Sequence, residues 1–215
     1  MNNKRQLLTL GIIAAVILVA GAVIVFSDRK EPITGSAPES LVRDESHMTG
    51  SKNAKVTVVE FGDYQCPACA SAHPVVKEMR SAYRDNPDFN FVFRNFPLSQ
   101  HKNARIASEA AESAGAQNMF WEMHDKLYEM QDKWSDSTDP MSFFVKYAGE
   151  LGLDVEKFKT DVTTHAYASS IAEDERDAES VGLEATPTFF INGRKETGVP
   201  NLEAFKKIIE TGLHR

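Results

Sequence analysis

The sequence predicts an α/β fold: a mixed sheet with an inserted all-helical subdomain, preceded by an N-terminal transmembrane helix. Three observations point there. Two strand-like segments flank a helical pattern early in the folded part, and two further strands and a helix close it. Between the two groups lies a long stretch of purely helical pattern. Ahead of both stands an uncharged apolar run.

That run extends from Leu7 to Phe26, after Lys4 and Arg5 and before Asp28-Arg29-Lys30-Glu31. Twenty helical residues cover about 30 Å, the hydrocarbon thickness of a bilayer. The run has no polar face, unlike a helix packed on a core. The basic flank favours a cytoplasmic N-terminus. Ala20-Gly21-Ala22 also has the small-x-small form of a signal-peptidase site, so a cleaved signal stays open beside an uncleaved anchor; the length of the run favours the anchor. Residues 1–27 are read as the cytoplasmic start and anchor. Residues 28–47, polar and punctuated by Pro32, Gly35 and Pro38, are read as a flexible stalk. Residues 48–215 are read as the folded domain, with its helical insertion at about 101–182. Its expected location is the extracytoplasmic side of the cell membrane. The net charge of −7 divides unevenly, +3 over residues 1–30 and −10 over the rest. An acidic domain lacks the cationic surface that nucleic acid requires, so no such partner is expected.

In the domain, Lys55 to Phe61 is β-branched and nearly continuous, the pattern of a strand covered on both faces. A helix follows over Pro67 to Arg84, with Pro74 inside it as a kink. Phe89 to Phe96 reads as a second strand. Helices are then expected around Ala104–Gly115, Phe120–Met130, Phe143–Leu151, from an Asp154 cap through Phe158, and over the very acidic Ile171–Val181. Thr188–Asn192 is a strand, Asn192-Gly193 a hairpin turn, Lys195–Val199 the return strand and Asn201–Leu213 the last helix. The βαβ start implies parallel pairing and the ββ end a mixed sheet.

The only cysteines, Cys66 and Cys69, sit three apart as Cys66-Pro67-Ala68-Cys69 between a buried strand and a helix. Proline suits the first helical position, which places Cys66 at the helix N-terminus. Free amides and the helix dipole there stabilise a thiolate. Cys69, one turn on, is near enough for a disulfide. A purely structural disulfide would close almost no loop and add little stability. A zinc site would need two more ligands, and recruiting His73 and His101 is forced. Two inert core cysteines are the remaining alternative. Redox exchange through a mixed disulfide at Cys66, resolved by Cys69, accounts best for the placement.

The stretch Val58-Val59-Glu60-Phe61-Gly62-Asp63-Tyr64-Gln65-Cys66-Pro67-Ala68-Cys69 closely resembles the active-site segment of DsbA-like thioredoxin-fold oxidoreductases. Arg94-Asn95-Phe96-Pro97-Leu98 with His101, then Phe120-Trp121 with His124, Leu127 and Trp134, then Thr186-Pro187-Thr188-Phe189-Phe190-Ile191-Asn192-Gly193 extend the likeness in order. It covers about residue 47 to the C-terminus. The resemblance implies a thioredoxin-like core with a helical insertion. It implies a cis bond between Thr186 and Pro187, presenting backbone beside the sulfurs. It also implies that Glu60 lies beneath Cys69 and accepts its proton. By the residues alone, Glu60 is a carboxylate on the Val56/Val58 face of an apolar strand, with a raised pKa if buried, or else an edge-exposed side chain without a role. His73 is expected at the surface, His124 with Phe120, Trp121 and Tyr128 in the core, and Asp63 and Tyr64 in a turn or at a groove rim.

The expected activity is that of an extracytoplasmic thiol–disulfide oxidoreductase, most of all an oxidase that passes its disulfide to exported polypeptides bearing cysteines. By resemblance, a quinone-linked membrane protein would reoxidise it. No cofactor and no metal are expected. A reductase or isomerase of the same fold stays open, because Pro67-Ala68 lacks the histidine of the strongest oxidants. So does a non-catalytic, peptide-binding chaperone.

Overall fold

The computed structural model describes residues 41–197 and 201–214. The anchor expected at residues 7–26 lies outside them; among the described residues no helix is long and apolar enough to cross a membrane.

The chain runs β1 (His47–Met48), β2 (Val56–Gly62), α1 (Pro67–Ala82), β3 (Phe89–Asn95), α2 (Ala104–Gly115), α3 (Phe120–Glu129), α4 (Gln131–Trp134), α5 (Pro140–Glu150), α6 (Val155–Thr163), α7 (Ala168–Ser180), β4 (Thr188–Ile191), β5 (Arg194–Thr197) and α8 (Leu202–Leu213). This is the expected order, with β1 and α4 added. The strands form one sheet in the order β1-β3-β2-β4-β5. β2 and β3 are parallel, and β4 is antiparallel to β2. The mixed α/β sheet with its block of helices is therefore as the pattern predicts.

β2 is central, and every residue of β2 and β3 is buried. Alternation along a strand sends its side chains to two layers. Val56 and Val58 face one layer with Cys69, Val76, Met79, Phe120, Leu127 and Phe205. Val59 and Phe61 face the other with Leu41, Val92, Ala178, Leu183 and Phe190. The packed part thus includes Leu41, ahead of position 48. α1 runs through Pro74 without being divided. At the hairpin, Asn192 and Gly193 both take positive φ, 48° and 80°, as a tight two-residue turn demands. The Asn192 side chain accepts from Thr57 N and donates to Lys55 O, fastening the turn to β2.

α7 is acidic for a reason its own sequence does not state. Asp174 accepts from Arg94 Nε at 2.5 Å and Asp177 from Arg94 Nη2 at 2.6 Å. Arg43 reaches the same helix, at Asp177 and Glu173. The charges facing β3 hold the helix over the second layer.

Candidate active site

β2 ends at Gly62, and four residues later Cys66 caps α1, with φ −69° and ψ 122° and Pro67 in the first turn. The cap carries no side-chain hydrogen bond, so the first amides of the helix remain available to the sulfur. Neighbouring elements hold the connecting loop. Asp63, fully buried, accepts from Gln65 N at 2.7 Å, Leu98 N at 2.9 Å and His101 Nδ1 at 2.6 Å. Gln131, on α4, donates to Tyr64 O at 2.7 Å and Cys66 O at 3.0 Å. Gln65 donates to Ser135 O and accepts from Asn103 N. Helices of the insertion therefore clasp the loop that presents Cys66.

Both cysteines are free thiols. Cys66 lies at the helix start, as expected, but is nearly closed off: it is only 7% exposed, against 0% for Cys69. The cause is Thr186, whose carbonyl lies 3.4 Å from Cys66 Sγ and covers it. The Thr186–Pro187 bond is cis, and both residues are buried beside the sulfur; Pro67 is exposed and Ala68 half-buried. The two thiols are driven apart in acidity. The Cys69 thiol, as donor, pulls Cys66 down to about 5 against the cost of burial, and the Thr186 side chain and the amides of Cys69 and Ala68 add to the effect. Burial, with the Cys66 and Glu60 charges, pushes Cys69 far up. No imidazolium takes part.

Glu60 is 2% exposed and lies on central β2, so the edge-strand alternative falls. Burial raises its carboxyl to about 8, against the opposing pull of Arg80. His73 is also a correction: it is 4% exposed, because one turn beyond Cys69 α1 faces α3. Its ring lies 5.1 Å from that of Tyr128 and 5.5 Å from that of His124. His124 and Tyr128 are core residues, as expected. Asp63 and Tyr64 are fully buried rather than at a rim. Tyr64 Oη and His124 Nδ1 are 3.0 Å apart. Sequence reasoning missed the clasping roles of Gln65, Asn103 and Gln131, since an isolated amide has no period or spacing that marks its distant partner.

His73, His124 and Asp125 place donor atoms within 4.8 Å of one another. Asp125 is already bonded to Arg80 at 3.0 Å and paired with Lys77 at 3.2 Å, two fixed cations that would repel a metal ion. His101 is engaged by Asp63, and the His73 ring packs edge-on against His124 of α3.

The thioredoxin family profile, described as "Thioredoxin", matches residues 43–211. Oxidised BdbD from Bacillus subtilis superposes with a TM-score of 0.72 at 25% identity, over 86% of this chain and all of that one. Alpha-DsbA1 of Wolbachia pipientis shares the fold with a TM-score of 0.72 at 20% identity, over 81% of this chain and 94% of its own. Among curated proteins, a "Na(+)/H(+) antiporter NhaA 1" of Salinispora arenicola is 39% identical over 171 residues, 79% of this chain and 25% of that protein. The chain spans about a quarter of the length of the curated relatives it matches. The matched length is close to that of the thioredoxin match itself.

Proposed function

Because the chain belongs to the thioredoxin family, within its DsbA-like group, we propose that it is an extracytoplasmic thiol–disulfide oxidoreductase acting as an oxidase of exported polypeptides. The observation that carries the reading is the opposed acidity of the two thiols, Cys66 at about 5 and Cys69 far above its ordinary value. A stabilised Cys66 thiolate favours the reduced protein, which makes its disulfide the better oxidant. A value of about 5 lies between the roughly 7 of thioredoxin and the roughly 3.5 of the strongest oxidants.

In the oxidised protein, a substrate thiolate attacks Cys66 Sγ, the less buried sulfur. The Cys66–Cys69 bond breaks, and Cys69 leaves with the electron pair and takes the proton of Glu60. A second substrate thiolate then attacks the mixed disulfide and expels Cys66 as thiolate. The substrate leaves with a disulfide and the protein keeps both electrons. A quinone-linked membrane protein would remove them, and the segment at residues 7–26 would hold the domain near it. Residues 28–47 would serve as the stalk and 48–215 as the catalytic domain. Antiport is not carried over from the curated relatives, since the match covers only a quarter of them.

The test is the equilibrium of the Cys66–Cys69 couple with glutathione, together with oxidation of a reduced, unfolded cysteine-bearing polypeptide. A potential well above about −200 mV and loss of oxidation in Cys66→Ser support the oxidase. A potential near about −270 mV makes it a reductase. Peptide binding that persists with no exchange in the wild type makes it a chaperone.

A further inference from the structure

The turn that presents Cys66 is held from outside the helix it opens. A helix start is ordinarily tied by the side chain at its cap. Here the cap is Cys66, and it makes no such bond. Asp63 takes over that duty. Its carbonyl accepts from Cys66 N at 3.1 Å, and its Oδ1 accepts from Gln65 N at 2.7 Å. Its Oδ2 accepts from Leu98 N at 2.9 Å and from His101 Nδ1 at 2.6 Å. Leu98 and His101 close a turn of their own: His101 N donates to Leu98 O at 3.0 Å. Ala104 N, at the start of α2, donates to His101 O at 3.1 Å, and Asn103 N to Gln65 Oε1 at 2.6 Å. The starts of α1 and α2 are therefore laced together, and the His101–Asp63 bond is a side-chain link at the centre of the lacing.

We propose that His101 is a positioning residue for exchange at Cys66: through Asp63 it fixes the turn that aims Cys66 Sγ at the incoming sulfur. The proposal rests on the oxidoreductase reading above. In the oxidised protein a substrate thiolate bonds to Cys66 Sγ, the Cys66–Cys69 bond breaks, and its electron pair leaves on Cys69. The reaction asks for the sulfurs in line, and a displacement of about 1 Å in such a step costs up to about a hundredfold in rate. Cys66 leaves little room for error. It is 7% exposed and lies under the Thr186 carbonyl at 3.4 Å, so a small swing of the turn closes the remaining approach. The same turn reaches the second sulfur. Burial raises the Cys69 thiol, and the Asp63 main chain pulls the other way. Asp63 is fully buried, and the His101 side chain is 19% exposed. A buried pair of this kind is weak evidence for stability, whereas a short bond from a rigid ring fixes direction. His101 takes no part in the bonds made and broken.

The oxidised, full-length chain is mixed with reduced glutathione, and opening of the Cys66–Cys69 bond is followed by trapping free thiols. Rates are taken well below the melting temperature of each variant, where a loss of stability alone leaves them unchanged. Two amide substitutions separate placement from polarity. His101→Asn sets a donor where Nδ1 stands, and His101→Gln sets one where Nε2 stands. We expect His101→Gln to slow opening by about ten- to a hundredfold, and His101→Asn to stay within about threefold of the wild type. Alkylation of Cys66 in the reduced chain should follow the same order. Asp63→Asn, which turns one acceptor of the turn into a donor, should slow opening as His101→Gln does, and it serves if that variant fails to fold. Wild-type rates in His101→Gln or Asp63→Asn, or equal losses in the two His101 variants, would overturn the positioning role and leave the oxidoreductase reading intact. Failure of the wild type to react would remove both.

Discussion

The two faces of the central sheet both bury polar groups, and they treat them in opposite ways. On the α7 face, Arg94 is fully buried, yet it donates to Asp174, Asp177 and the Leu41 carbonyl and lies 5.5 Å from the Phe61 ring. On the α1 face, Glu60 is buried with only the distant pull of Arg80 to oppose the cost, and His73, His124 and Tyr128 leave polar atoms unpaired. The first arrangement fixes a helix in place. The second leaves Glu60 titrating at about 8, in the range in which a thiol must trade protons, at about 1–3 kcal/mol for each unpaired atom. Pairing therefore separates structure from chemistry better than burial does.

The contrast predicts opposite signs for deletions on the two faces. Arg94→Ala should cost about 3–5 kcal/mol by strand-ordered melting or denaturant titration, because it strands Asp174, which burial already raises to about 6. A loss below about 1 kcal/mol would show the paired network to be ornamental.

The reduced protein offers the next test. Cys66 has a folded pKa near 5, below its ordinary 9, so its thiolate contributes stability fully above about pH 9 and loses it as pH falls through about 5. The stability of the reduced form relative to Cys66→Ser should rise by a few kcal/mol across that window. A constant difference would remove the thiolate from the reading.

Glu60→Gln should stabilise the chain. The folded carboxyl holds its proton to about pH 8 and the unfolded one to about 4.5, so the wild type loses stability as pH rises between them. The gap between variant and wild type should open across that window, to about 1–3 kcal/mol. Asp174 has the same sign, so only this difference isolates Glu60. The variant should also resolve mixed disulfides more slowly; unchanged resolution at all pH values would clear Glu60 of the proton's path.

The smallest effect belongs to Gln131→Ala, which removes two hydrogen bonds from the Cys66 loop and should cost about 1 kcal/mol. Its alkylation rate at Cys66 should change more than its melting temperature does. The reverse ranking would make Gln131 a packing residue only.

Much of this was legible in the sequence, because strands and helices announce themselves by period. The β-branched run at Lys55–Phe61, the Asn192-Gly193 turn and the Asp154 cap each carry a local signal, and each stands where expected. The position of Cys66 at a helix start followed from Pro67. Long-range pairings had no such signal. Nothing near Asp63 says that His101 will bond to it, and nothing in α7 says that its acids answer Arg43 and Arg94. The shielding of Cys66 by Thr186 joins residues 120 apart in the chain. His73 misled because a polar residue one turn from a site looks external until the partner helix is known.

The clamp at the N-terminal end of the described chain has a mechanical side. The Leu41 carbonyl is held by Arg94, and Arg43 is bolted to Asp177 and Glu173. A pull on the chain ahead of Leu41 is therefore delivered to β3 and α7, across the sheet from Cys69. The load enters through ion pairs that resist shear, while the Cys66 loop hangs on separate fastenings from Gln131, Gln65 and Asp63. A domain held by its N-terminal end can be tugged without its sulfurs being moved.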